Sequence, residues 1–227
     1  MMEGLIHCDS FGRIERNMNM ASIQQSVIAS PRIERLRDFV VAIGNLVETA
    51  PGEPGILREG SRLLKELVGV DDWLPARYAE PSVTGYQQYL LHADSREHFS
   101  VVSFVWGPGQ KSPIHDHTVW GIVGILRGAE FEQGYSRTSD GRFVERGAPV
   151  RLEKGEVTLV SPAIGDFHRV SNALDDRPST SIHVYGANIG AVRRSMYETD
   201  GTSKTFVSGY SNTELPNLWD RAKETKG

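Results

Sequence analysis

The feature that most constrains this chain is the even spacing of short, strand-like segments over its second half. They read Gly85 to His92, Phe99 to Trp106, Val119 to Leu126, Ala129 to Tyr135, Glu156 to Val160, Phe167 to Ser171, Thr180 to Gly186 and Val192 to Glu198. Glycines and prolines punctuate the gaps, and no helical pattern lies between the segments. Parallel strands would need long, usually helical crossovers, so this succession predicts an antiparallel sandwich or barrel over about 82–210.

Ahead of the strands the pattern is helical. Ser30 can cap a helix, Pro31 suits a first helical position, and Leu36, Phe39, Val40, Ile43, Leu46 and Val47 recur at helical spacing. A second stretch follows Pro51 to Pro54, with Leu63, Leu64, Leu67 and Val68 on one stripe and Gly69 as its stop. Two amphipathic helices are therefore expected within about 31–70. Residues 1–30 carry Met1, Met2, Met18 and Met20 and no sustained period, and read as a poorly ordered N-terminal tail to a single domain over 31–227.

Composition removes several classes of function. Lys and Arg total 25 against 29 Asp and Glu, a net charge of −4 with no basic block, which disfavours nucleic acid as a partner. The one cysteine, Cys8, excludes a disulfide within the chain and a cysteine-held zinc or cluster. No apolar run approaches the roughly 18 residues of a membrane span, and Met1 to Ser30 lacks the order of a signal peptide. The expectation is a cytoplasmic protein with no membrane partner; oligomeric state is not legible in these patterns.

Of seven histidines, His115, His117, His168 and His183 sit in or beside strand-like segments with a pattern around them, whereas His7, His92 and His98 do not. Strand residues two apart share a face, so both imidazoles of His115-Asp116-His117 can enter a barrel interior and supply adjacent metal positions. Taken alone, the pair reads equally as an exposed hairpin. Along Ser181-Ile182-His183-Val184-Tyr185, hydroxyl, imidazole and phenol share one face while Ile182 and Val184 take the other. Inside a barrel such a row passes hydrogen bonds from group to group; on the outer surface it would be an ordinary polar strand.

The surroundings of the histidines add a frame. Gly109 lies six residues before His115 and Gly128 eleven after His117, while further on the chain runs Gly155-x6-Pro162-x2-Gly165-x2-His168-x3-Asn172. This frame resembles the two motifs of the cupin superfamily, which implies a mainly β, jelly-roll barrel preceded here by N-terminal α-helices. The second motif is longer by one residue before the proline and one after it. The first motif's glutamate ligand is replaced by Gly121, which leaves His115, His117 and His168; Glu130 and Glu132 are nearby carboxylates that could serve in its place, but they lie beyond the Gly128 turn and read as strand-face charges.

Together with the Ser181, His183, Tyr185 row, this resembles the thiol dioxygenases of the cysteine dioxygenase family over about Tyr86 to Arg194. The resemblance implies Fe(II) on His115, His117 and His168, a small thiol carboxylate and O2 as substrates, and a sulfinic acid as product. It makes Tyr185 the phenol beside the reacting centre, supported by Ser181 and His183. Gly121 also stands where mammalian members carry a cysteine crosslinked to that tyrosine, so no crosslink is expected. The family's Tyr-x-Arg strand reads Tyr86-Gln87-Gln88, and Gln88 takes the place of the arginine. Arg194 matches the arginine that binds the substrate carboxylate in bacterial glutamine-type members, with Arg193 as its outward neighbour. Those members resemble 3-mercaptopropionate dioxygenases; L-cysteine, another thiol acid such as mercaptosuccinate, and a non-catalytic, acid-sensing cupin are the alternatives. A cupin isomerase or hydrolase fits less well, because such enzymes usually keep the glutamate that Gly121 replaces.

Overall fold

Helix, strand and turn follow from how the two faces of one sheet are buried. The computed structural model describes residues 31–49 and 52–212. Two helices, α1 (Glu34–Thr49) and α2 (Glu53–Val68), precede a short 3-10 turn at Ala76–Ala79 and twelve strands. The strands are β1 (Gln87–Ala93), β2 (Ser100–Trp106), β3 (Ile114–His115), β4 (Gly121–Arg127), β5 (Ala129–Arg137) and β6 (Phe143–Glu145), then β7 (Val150–Glu153), β8 (Val157–Val160), β9 (His168–Asn172), β10 (Ser179–Tyr185), β11 (Arg194–Tyr197) and β12 (Ser203–Phe206). One sheet has the order β1-β2-β10-β4-β8 and the other β12-β11-β3-β9-β5-β6, with β7 also paired to β5. All named pairs are antiparallel. This is the mainly β, cupin-type barrel with a helical front that the sequence predicts.

The eight expected strands are all present, with every end displaced by at most two residues. Four strands were not expected: β3 is a two-residue rung, and β6, β7 and β12 are short and largely exposed, so they carry no apolar alternation. Gly69 does follow α2, in right-handed conformation with its N–H on the Lys65 carbonyl at 3.1 Å. Expectations for Ser30, Cys8 and the rest of 1–30, and for 213–227, lie outside the described residues.

The helices cover the outer face of the five-stranded sheet. Leu36, Phe39 and Ile43 of α1 and Leu57, Leu64 and Val68 of α2 join Val101, Ile122, Leu126, Ile182 and Val184 in one core. A second core fills the barrel with Leu90, Val102, Phe104, Trp106, Val170 and Tyr185. Strands β2 and β10 are consequently buried at every position, which is why they read as continuous runs rather than half-polar ones. Glycine allows the close fit of helix on sheet: a Cβ on Gly60 would lie 2.5 Å from Ile122 Cδ1, and one on Gly124 3.0 Å from Leu64 Cγ. Beyond α2, Trp73 Nε1 donates to the Leu67 carbonyl at 3.1 Å, and Arg127 grips Asp71 with two bonds of 2.7 and 2.8 Å. No helix among the described residues is long and apolar enough to cross a membrane.

Leu64 is fully buried between α2 and the sheet. Leu64→Ala is expected to cost about 2–5 kcal/mol of stability through lost burial and the cavity left behind, as read from urea unfolding.

Candidate metal centre

Register brings the three histidines together. His115 and His168 are direct partners on the single rung joining β3 to β9, and His117 follows two residues on. Their ring centroids lie 4.8, 4.8 and 4.9 Å apart, and their ligand-capable atoms all fall within 4.8 Å of one another.

Each ring is held by Nδ1. His115 Nδ1 donates to the Pro113 carbonyl at 3.1 Å, His117 Nδ1 to Asp166 Oδ1 at 2.9 Å, and His168 Nδ1 to Glu132 Oε1 at 2.8 Å. A carbonyl or carboxylate can only accept, so the proton sits on Nδ1 and Nε2 keeps its lone pair. His168 Nε2 is buried with no hydrogen-bond partner. Burial, followed by the neighbouring imidazoles, keeps His115 and His117 well below the usual histidine range, so both rings are neutral. Burial raises the Glu132 carboxyl, but the hydrogen bond from His168 and that from Thr158 outweigh it and hold Glu132 below its ordinary value. Three imidazoles with free, converging Nε2 atoms suit a divalent transition metal, and acceptors behind the rings fix their orientation.

Asp166 does a second task. Besides the His117 ring it accepts the backbone N–H of His117 through both oxygens at 3.0 Å and that of Thr118 at 2.9 Å. Thr118 has φ +61°, a left-handed conformation that a β-branched residue adopts only under constraint. The carboxylate thus clamps the turn that presents His117.

Strand β10 carries the row Ser181, His183, Tyr185, all buried inside the barrel, with Ile182 and Val184 turned to the helices. Ser181 Oγ meets His183 Nε2 at 2.8 Å, and His183 Nδ1 meets the Tyr185 hydroxyl at 2.8 Å. The Tyr185 ring stacks on His117 at 5.4 Å and 19°. Burial raises the Tyr185 phenol and lowers the His183 imidazole, so both stay neutral.

A cavity of about 460 Å³ connects these groups and is also lined by Tyr86, Gln88 and Arg194. Arg194 opens β11, nearly fully buried, lies over the Phe206 ring at 4.8 Å and donates to Ser208 Oγ at 2.8 Å. Its Nε is buried without a partner, and among the described residues no carboxylate pairs with it. Burial lowers its pKa, although nearby Tyr185 and Tyr86 oppose that. Arg193 is exposed and does not line the cavity. Gln88 Nε2 donates to Ser208 Oγ at 3.2 Å and the Gly209 carbonyl at 2.9 Å, and Tyr86 packs on Trp106 at 4.5 Å. At Gly121 a Cβ would come within 2.9 Å of the Tyr185 ring and 2.7 Å of Val160, so any side chain there would displace the phenol.

All nine side chains singled out in the sequence therefore line one cavity or, for Ser181, stand directly behind it. Sequence reasoning missed Asp166, Glu132 as an imidazole partner, and Ser208. Asp166 stands two residues before His168, a spacing that could have flagged it. The reading of Glu130 and Glu132 as strand-face charges is corrected: Glu130 is fully buried and Glu132 half-buried, because β9 and β7 flank β5 on both edges and the face carrying both acids turns inward.

A sequence model of the family described as cysteine dioxygenase type I matches residues 68–196. Cysteine dioxygenase type 1 of Danio rerio is 25% identical over 158 residues, covering 67% of this chain and 71% of that protein. Among solved structures, a conserved Klebsiella pneumoniae protein with a double-stranded β-helix domain is 19% identical with a TM-score of 0.39, covering 49% of this chain and 80% of that one. An RmlC-like cupin protein from Desulfovibrio desulfuricans is 21% identical with a TM-score of 0.36, covering 47% and 87%.

Removing an acceptor behind a ligating ring should loosen the metal. Glu132→Ala is expected to weaken divalent-metal binding about 10–100-fold by titration calorimetry; unchanged affinity would show that the His168 ring is held by packing alone.

Proposed function

Since the chain belongs to the cysteine dioxygenase type I family, we propose that it is a non-haem Fe(II) thiol dioxygenase that adds both atoms of O2 to the sulfur of a small thiol carboxylate. The preferred substrate is 3-mercaptopropionate and the product 3-sulfinopropionate. The observation that carries the substrate reading is Arg194, a cation buried in the cavity wall with no anionic partner of its own among the described residues. A guanidinium in low dielectric calls for a carboxylate, which it can grip through two parallel bonds.

The rest of the cavity argues against an α-amino group. Cysteine would bring an ammonium that needs an anion or several acceptors, and no Asp or Glu lines the cavity among the described residues. Gln88, in the place of the family's arginine, has its amide nitrogen committed to Ser208 and Gly209. A thiol acid without the amine meets no unpaired group.

His115, His117 and His168 would hold the iron, which when bound supplies a Lewis-acidic centre where thiolate and O2 meet as neighbours. Because the three histidines bring no negative charge, a dication bound there would keep its full charge and favour the thiolate over the thiol. Arg194 fixes the far end of the substrate and so sets where sulfur lies. Tyr185, oriented by His183 and Ser181, presents its hydroxyl toward the reacting sulfur from the strand behind His117. Phe104, Trp106 and Val170 line the walls with apolar surface and exclude water.

The direct test is O2 uptake by Fe(II)-loaded protein with 3-mercaptopropionate and with L-cysteine in parallel, the product identified by mass. A gain of two oxygens with strong preference for 3-mercaptopropionate is expected. Preference for cysteine would overturn the substrate reading, and oxidation of neither would also overturn it, leaving another thiol acid or an acid-sensing cupin. Arg194→Ala should lower kcat/KM about 10–100-fold, chiefly through KM, with metal content unchanged; an unaltered KM would remove Arg194 from carboxylate binding. His168→Ala should abolish iron binding, measured as iron per chain; full iron occupancy would show that another group completes the site.

A further inference from the structure

Glu130 is a buried acid that the reaction outlined above does not use. It stands on β5, nearly inaccessible to solvent, and has no cationic partner among the described residues. Its carboxyl accepts a hydrogen bond from Ser179 of β10 at 3.1 Å, and the Ser181 hydroxyl, two residues along the same face of that strand, helps to hold its pKa down. Ser181 is also the residue that meets His183. The row that ends at Tyr185 therefore begins at Glu130, and runs Glu130, Ser181, His183, Tyr185.

We propose that Glu130 is a positioning residue for the reaction, and that the presence or absence of one proton on its carboxyl sets the direction of every hydrogen bond in this row. The argument is a count of protons. Ser181 has a single hydroxyl hydrogen and two neighbours able to accept it, Glu130 and His183 Nε2. With Glu130 protonated, the acid donates to Ser181, Ser181 donates to His183 Nε2, and His183 Nδ1–H donates to the Tyr185 oxygen. The phenol hydrogen is then free to point into the cavity. With Glu130 ionised, Ser181 turns to the carboxylate, His183 must carry its hydrogen on Nε2, and Tyr185 donates to His183 Nδ1. The phenol then offers the cavity only a lone pair. One proton gained or lost at Glu130 thus decides whether Tyr185 acts as donor or acceptor, with His183 neutral throughout and only its tautomer exchanged.

The surroundings place that change in a useful range. Burial pushes the Glu130 carboxyl up to about 8, against the opposing effect of the Ser181 and Ser179 hydroxyls. The titratable groups around it are Glu132 on its own strand, His168 from β9, and His183 and Tyr185 from β10. β7, β4 and β8 bring only Leu152, Val123 and Thr158 to the same void. No charge from those strands competes with the relay.

The role assigned to Tyr185 rests on the dioxygenase reading, so the test begins where activity plays no part. In metal-free protein labelled with 15N-histidine and 13C-glutamate, NMR across the pH range should show the His183 proton moving from Nδ1 to Nε2 with the same midpoint as the Glu130 carboxyl. Glu130→Gln should keep the row bonded, because an amide both donates and accepts, and should hold His183 in one tautomer at every pH. A His183 tautomer that does not change in the native chain, or that still changes in E130Q, would overturn the proposal. In the iron-loaded enzyme with thiol substrate, the alkaline break in kcat near pH 8 should disappear in E130Q while KM stays within about twofold. A break that persists would also overturn it. Should no thiol be oxidised, the tautomer measurement still decides the relay, and only the dioxygenase reading fails.

Discussion

The cavity depends on three imidazoles each having one nitrogen tied to an acceptor of the protein. A neutral histidine has one donor and one lone pair, and giving the donor to Pro113, Asp166 or Glu132 leaves the lone pair for the interior. Two of those acceptors are carboxyl groups. Negative charge that other cupin sites supply directly as a ligand is here set one ring away, on Asp166 and Glu132. Placed there, it makes the imidazoles more basic without filling a coordination position. The open positions are what a substrate sulfur and O2 require.

Strand β10 joins stability to chemistry. Ile182 and Val184 are buried against α1 and α2, while Ser181, His183 and Tyr185 face the barrel. A one-residue slip in its pairing with β2 or β4 would drive the polar row into the helix interface and the aliphatic pair into the cavity. Burial of the helical front therefore enforces the register that aims Tyr185 at His117. The helices touch no part of the cavity, yet its geometry depends on them.

Much of this was legible in the chain. Alternation along 181–185 gave the inward row, and the resemblance to the cupin and thiol dioxygenase motifs singled out His115, His117 and His168 as the trio and Arg194 over its neighbour Arg193. What escaped depends on pairing between strands distant in sequence. Nothing near residue 132 announces that β5 lies beside β9 and brings Glu132 to His168, thirty-six residues on. Glu130 and Glu132 look like the solvent face of a strand because alternation tells which residues share a face, not which face is inside. The rung β3 is two residues long, too short for any periodicity, although it sets His115 opposite His168. Ser208, in a stretch without strand pattern, matters only because the chain after β12 returns over Gln88 and Arg194.

Gly121 ties these features into one trade-off. A side chain at that position would start within 2.9 Å of the Tyr185 ring, so a glutamate reaching for the metal and a phenol in its present place exclude each other. Glycine settles the conflict for the phenol. The charge forgone at position 121 is recovered behind the rings by Asp166 and Glu132, and the space is taken by an aromatic ring stacked on His117. That ring is then controlled through hydrogen bonds from its own strand rather than by a covalent link, and a hydrogen-bonded phenol can reverse its role as donor or acceptor where a ligating carboxylate cannot. The absence of one ligand and the presence of a buried, four-membered polar row are thus two consequences of a single missing side chain.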